Sequence, residues 1–596
     1  MSPEFTASNG APRRRRAPLP SSRRVRDLVI TLALVSAAGF AGMTLRHREL
    51  NEPFFMYSAY YVLSVLCAVY LGFLLSGMGG RAWLKDWLSD HRWGIVVTTI
   101  VSVVVLTSIE PSFRVLADEA NLVGVSKNLA QSRTADFSIA GKWYFDAYWS
   151  LASVTDRRPA LFPFLVSLIH VIRGYHPENA FYANAALFVL FVFSSYRLAR
   201  LLGGELFAVA AAILVASNPI VLVSARSAGF DLLATLMLLL VIKSFVVYAR
   251  RPSARHLAHL TLNLCLLTHV RYEGWAVLLV SGCMLLLLRM VRWSHFHGYG
   301  LLYSMVPWFL LPRYWQTIAK AHDAEQPLSA SLFSLKNLIE NGREYLAMLK
   351  DPLDLAGPHS PMILILAIIG FVLILTSLTR RLMSKQLSTE TTRNSLFILA
   401  MVGMEVVICF TYFWGKAMHP SSARLFLWLD TTLAFAAAWL LAEIARLCQV
   451  PLAVLGRRSG APVAVFSAGA LFVMHVPAAS DARFVNTLIL TRDAAATWKY
   501  FESLHDRRIL VLSDRPGLLT IMNYGALDIS SAKTDRSPLL ELSRHLYQNV
   551  YLVQQVDLNT HKPLPAFNVW PDVPKETMLE FQSTASSSIR IARIKH

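Results

Sequence analysis

Apolar residues in this chain fall in blocks of roughly 17–25, separated by short polar stretches. A helix of that length crosses about 30 Å of hydrocarbon. The blocks predict thirteen spans, near residues 27–45, 54–76, 93–110, 179–199, 205–222, 227–249, 256–270, 273–291, 299–313, 361–379, 395–414, 424–446 and 461–478. Segment 160–173 (ALFPFLVSLIHVIR) is apolar but short, and suits an interfacial or re-entrant helix. After residue 479 the pattern changes. Short apolar strands at 509–513, 550–554 and 589–594 alternate with amphipathic stretches, and turn signals such as Asp514–Arg515–Pro516–Gly517 and Asn523–Tyr524–Gly525 lie between them. The expectation is an α-helical polytopic membrane protein of about 13 transmembrane helices with a small C-terminal external α/β domain over 479–596.

Composition agrees: 55% of the 596 residues are hydrophobic, 16% are charged, and the mean hydropathy is +0.44. Soluble domains are nearer a quarter charged. The net charge of +19 would suggest nucleic acid in a soluble protein. Here the excess lies in short loops, where Lys and Arg set topology, so no nucleic-acid partner is expected. With 160–173 left uncrossed, Arg81/Lys85/Arg92, Arg197/Arg200, Arg250/Arg251/Arg255, Arg289/Arg292, Arg380/Arg381/Lys385 and Arg457/Arg458 all share the cytoplasmic side. That places the N-terminus inside and the C-terminal domain outside. Residues 1–26 read as a disordered basic tail and the apolar run after it as a retained anchor. Residues 27–92 hold two N-terminal spans and a cytoplasmic loop, and 93–478 form the main membrane domain, with external loops 111–178 and 314–360. The five cysteines lie in or at the ends of apolar segments, with no disulfide framework or zinc spacing.

This topology gathers unusual polar groups on one face. Asp118–Glu119 follows an apolar span. An acid pair is ordinarily a solvated loop start, and Asp118 could cap the next helix, but capping explains only one of the two. The other reading is a general base poised at the membrane face. Lys142, Arg157 and Arg158 sit among Trp143, Tyr144, Tyr148 and Trp149, as in an interfacial aromatic belt with snorkelling cations, and also as a phosphate-binding segment would. Arg226 and Asp231 join two spans, either as a structural ion pair or as part of a site. His269, Arg271 and Glu273 form a polar knot in which Arg271–Glu273 reads as a turn-stabilising pair; His419 and Arg424 flank the next external turn. A lone histidine is usually not a metal ligand, whereas Arg424 at the start of a span suits a phosphate.

Asp118–Glu119, the Arg158–Pro159–Ala160–Leu161 segment, the Asn218–Pro219…Arg226…Asp231 string and the His419…Arg424 turn occur in that order. In order and side they resemble the GT-C membrane glycosyltransferases of the protein O-mannosyltransferase and aminoarabinose-transferase type, over about 95–450. The resemblance implies a polyprenyl-phosphate sugar as donor, Asp118 as catalytic base, Glu119 as its helper, Asp231 as the second acidic position and Arg158 on the donor phosphate. Lys142, Arg226, Arg271 and Arg424 are the further phosphate-binding candidates. The acceptor hydroxyl would belong to a glycan, a lipid or a protein. The aminoarabinose transferases carry an acid, a Lys and two prolines where this chain has Arg157, Arg158, Pro159 and Ala160. That acid takes part in metal binding in those relatives, so a divalent metal is not carried over and no metal ligand is assigned. A lipid-sugar transporter and a non-catalytic scaffold are the alternatives; one-sided charge and the lack of an internal repeat weigh against transport.

Overall fold

The computed structural model describes residues 22–594 except 78–80, 145–146, 321–331, 385–388, 420, 453–459, 482–488, 530–546, 561, 565–574 and 585. The basic stretch Arg13–Arg16 and the loop residues His322 and Asp323 lie outside the described residues. The chain opens with α1 (Ser22–Arg46), α2 (Asn51–Leu75), α3 (Arg81–Asp90) and α4 (Arg92–Ser108). A long connection follows, holding α5 (Leu116–Gln131), strands β1 (Asp136–Tyr144) and β2 (Ala147–Thr155), and α6 (Leu161–Arg173). Next come α7 (Asn179–Gly203), α8 (Glu205–Ala216), α9 (Pro219–Ser224), α10 (Asp231–Arg250), α11 (Ala254–Thr268), α12 (Gly274–Leu287), α13 (Trp293–His297) and α14 (Gly300–Ala319). A second connection carries α15 (Leu335–Ala347), and α16 (Pro361–Met383), α17 (Glu390–Thr411), α18 (Leu427–Leu452) and α19 (Gly460–Asp481) complete the bundle.

The protein is thus a largely helical, multi-pass membrane protein. Eight of the described helices are long and apolar enough to cross a bilayer: Asp27–Arg46, Arg48–Leu75, Asn179–Gly203, Asp231–Arg250, Pro361–Met383, Glu390–Thr411, Ala423–Cys448 and Val463–Ser480. Helices α4, α6, α8 and α12 are apolar but shorter. In α10 and the Ala423–Cys448 helix 83% of the apolar window is buried, against 11% in α1, so the first two form the bundle's centre and α1 its edge. The expected span 205–222 is broken into α8 and α9. Pro219 has no N–H to continue the ladder, and the Asn218 side chain accepts from Ile220 N at 3.2 Å, which starts a new helix.

The β-rich domain adds α20 (Ile489–Ser503), β3 (Ile509–Ser513), α21 (Gly517–Thr520), β4 (Gly525–Asp528), β5 (Asn549–Asp557), β6 (Pro563–Leu564), β7 (Lys575–Gln582) and β8 (Ser587–Ile594). The sheet order is β2-β1-β4-β3-β5-β8-β7, with β6 paired to β5 off the path. Strand β3 runs parallel to β4 and β5; the other pairs are antiparallel. All five residues of β3 are buried, because Ile509 and Val511 face one apolar cluster while Leu510 and Leu512 face another. Strands β1 and β2, which carry Lys142, Trp143, Tyr144, Tyr148 and Trp149 of the segment expected as an aromatic belt, pair as a hairpin that joins this sheet through Gly141 opposite Ala526. The hairpin's sheet neighbour lies about 385 residues away in sequence, as the pairing of Gly141 with Ala526 requires.

Candidate active site

Seven residues, 109–115, separate the end of α4 from the start of α5. Its N-cap is Val115, not Asp118, and no side chain caps it. Asp118 and Glu119 both lie in its first turn, where the unpaired backbone N–H groups favour negative charge. Glu119 turns inward: its Oε2 accepts from Arg114 N at 3.0 Å and from Ala228 N at 3.1 Å, and its side chain is fully buried. Asp118 keeps 19% of its side chain exposed and ion-pairs with both Arg158 and Arg424.

From Asp118 the charges alternate through the end of the bundle. Arg158 also holds Asp156 at 2.8 Å. Arg424 reaches toward Asp231 at 3.9 Å. Asp231, the first residue of α10, is 2% exposed and receives Arg114 at 2.7 Å and Arg271 at 3.3 Å. Arg271 closes the chain on Glu273 at 2.9 Å, the pair anticipated for that turn. Gly229 lies between the two buried acids: a Cβ there would sit 3.1 Å from Glu119 Oε1 and 3.3 Å from Asp231 Oδ2. Burial pushes the Asp118 carboxyl up, but Arg424 and Arg158 outweigh it and hold it at about 2. Asp118 is therefore ionised at neutral pH and, in this arrangement, a weak proton acceptor.

The structure thus brings Asp118, Glu119, Asp231, Arg158, Arg271 and Arg424 into one network. Arg226 lies in the adjoining turn; it pairs with no acid among the described residues, Asp231 included, because Arg114 and Arg271 occupy that carboxylate. The buried Arg226 Nε and Arg424 Nε and Nη1 have no hydrogen-bond acceptor among the described residues. Lys142 lies on β1 opposite Trp149, and none of the ion pairs above involves it. His269 gives a structural contact, its Nε2 meeting Phe309 O at 2.7 Å, and His419 bonds Ser421.

Sequence reasoning missed Arg114, which is buried and donates to Ser224 Oγ at 2.9 Å as well as to Asp231. It also missed Asp156, two residues before Arg158 instead of directly before it. An ionisable residue at the end of a span, followed by an acid pair, was the available signal for Arg114.

A second buried cation ties α5 to the β-rich domain. Lys127 Nζ donates to Thr520 O at 2.8 Å and sits 3.4 Å from the Tyr148 ring centroid. Burial pulls its ammonium down to about 7. Thr520 Oγ1 donates to Ser138 O at 2.8 Å, and Trp498 of α20 packs edge-on to Phe113 at 5.6 Å. The sheet is thereby seated beside the charged network.

Among the described residues no group of three His, Cys, Asp or Glu side chains is arranged to hold a metal ion. The network's carboxylates already face guanidinium groups, so its donor set does not fit one.

The chain is thus a helical bundle with charge gathered at one end and a small β-rich domain seated there. Two solved structures share it. ArnT from Cupriavidus metallidurans bound to undecaprenyl phosphate is 12% identical with a TM-score of 0.51, the match covering 84% of this chain and 98% of that one. The apo state of the same protein is 13% identical with a TM-score of 0.52 and the same coverage. At such identity the likeness is one of fold. No family model and no curated protein matches the sequence.

Proposed function

We propose that the protein is a glycosyltransferase of a bacterial inner membrane, moving a sugar from a polyprenyl-phosphate donor to an acceptor hydroxyl on the external face with inversion. The reading includes thirteen crossings, an N-terminus in the cytoplasm and the β-rich domain outside. The observation that carries it is the partly exposed Asp118 carboxylate between Arg158 and Arg424, beside guanidinium N–H groups that have no acceptor among the described residues. Orphaned buried donors are costly unless an anion meets them. The structure of ArnT with undecaprenyl phosphate supports a phosphate of this kind as the ligand.

In this mechanism the donor phosphate competes with Asp118 for Arg158 and Arg424, and Arg226 and Arg271 add positive charge around it. Released from its partners, Asp118 returns toward an ordinary carboxylate pKa of about 4 and becomes a stronger base. It takes the proton of the acceptor hydroxyl as that oxygen attacks the anomeric carbon. The bond from that carbon to the phosphate oxygen breaks, and the arginines stabilise the charge that grows on the departing phosphate. Glu119 and Asp231 hold Arg114, Arg271 and the Ala228 backbone N–H, and so position the reacting groups.

The test is transfer by the purified, membrane-reconstituted protein from labelled polyprenyl-phosphate sugars to total membrane acceptors, with Asp118→Asn alongside. Loss of about 10²-fold or more in the variant is the scale of a general base. Equal transfer by both proteins would remove Asp118 as the base and leave Asp231 as the candidate. Movement of the lipid between leaflets without sugar transfer would point to transport.

A further inference from the structure

From the end of the bundle opposite the charged network, a cavity of about 270 Å³ lined by α7, α8, α10, α16, α17 and α18 runs toward the first turn of α18. Asp231 opens α10 at the network and Arg250 ends it at the cavity mouth; the two lie about 28 Å apart at 1.5 Å per residue. None of the network's residues lines the cavity.

The cavity is amphiphilic along its length. Its body is apolar, with Leu239, Phe371, Ile398, Phe435 and Trp439 among the lining side chains. From Leu239 to Arg250 the lining of α10 extends about 16 Å, close to the hydrocarbon depth of one leaflet, half of about 30 Å. Its mouth is polar. Arg250 is paired with Glu390, but Arg381, in the last turn of α16, has no carboxylate partner among the described residues, so the mouth is positive. Asn394 is 4% exposed, and its Oδ1 has no donor among the described residues. At the far end the lining reaches Trp428, one turn beyond Arg424.

We infer that this cavity binds one acyl chain of an anionic, hydroxyl-bearing glycerophospholipid from the adjoining leaflet, with its phosphate on Arg381 and a headgroup hydroxyl donating to Asn394 Oδ1. The depth fits one chain, the unpaired guanidinium takes the negative charge, and the buried amide oxygen gains the donor it lacks. The second chain stays in the bilayer. A chain reaching Trp428 would brace the start of α18 beneath Arg424.

Native mass spectrometry of the full-length protein in detergent, titrated separately with phosphatidylglycerol, phosphatidylcholine and a polyprenyl phosphate, tests this. One phosphatidylglycerol per protein is expected to bind at least tenfold more tightly than phosphatidylcholine. Arg381→Ala should abolish that preference, and Ser395→Trp, which fills the lining at the mouth, should weaken binding of either lipid tenfold. Arg380→Ala, one residue away and outside the cavity lining, should change neither. Unchanged phosphatidylglycerol binding in Arg381→Ala, or displacement of that lipid by the polyprenyl phosphate, would overturn the inference. Arg381 is half-buried at a helix end, so its variant remains informative if Ser395→Trp does not fold.

Discussion

Arg114→Met should be among the most destabilising single changes in the protein. The arginine is fully buried and Asp231 is 2% exposed, and they meet at 2.7 Å. Breaking a buried pair from one side leaves an uncompensated charge, which costs about 3–5 kcal/mol. Asp231 would keep Arg271 at 3.3 Å and Arg424 at 3.9 Å, so the lower end, about 3 kcal/mol, is the expected value. Methionine fills much of the arginine volume, so little of that loss is a cavity. Asp231→Asn removes the opposite charge and leaves the guanidinium only Glu119, at 4.0 Å, among the described acids. The double variant strands neither, so it should be more stable than the sum of the single losses predicts, by about 2 kcal/mol, within the range seen for residues in contact. Equilibrium unfolding by denaturant in mixed micelles measures all four proteins. Additivity within about 0.5 kcal/mol would refute the claim that the two charges stabilise each other in the fold.

Gly229→Ala should lower sugar transfer by about 10- to 100-fold with little loss of folded protein, because a Cβ pressing on Glu119 and Asp231 shifts the positioned charges by a few tenths of an ångström; transfer at the wild-type rate would show that the two acids tolerate movement. For Lys127, the folded pKa of about 7 lies below the ordinary value of about 10.4, so the folded form binds fewer protons between them and docking of the β-rich domain should tighten as pH rises through that window. Hydrogen exchange of β3 and β5 at pH 6 and pH 9 reads this, after correction for intrinsic rates, and Lys127→Met should remove the difference. Asp118 behaves in the opposite way. Its pKa is depressed to about 2 from about 3.9, so its contribution is complete above pH 4 and is lost as pH falls toward 2. Thermal unfolding of donor-free protein should therefore show an acid limb in that window that Asp118→Asn lacks, and a matching limb in the variant would count against the ion pairs.

Hydrophobic spacing alone determined the helical, multi-pass character of the chain, because a hydrocarbon layer demands long apolar runs whatever they pack against. Local signals also located β3, β5 and β8, whose apolar runs are bounded by turn residues. Apart from Arg114 and Asp156, the acids and arginines of the site were legible one at a time, since ionisable groups at the ends of spans are conspicuous. Tertiary structure decided which of them meet. Asp231 pairs with Arg114 and Arg271, 117 and 40 residues away, and not with Arg226 five residues before it. Lys142 went to the sheet because its hairpin finds β4, a partner no local pattern announces. The break at Asn218–Pro219 inside an apolar block came from cap chemistry that a hydropathy window averages away. Pairing of buried charges depends on distance through the fold, and distance along the chain carries almost no information about it.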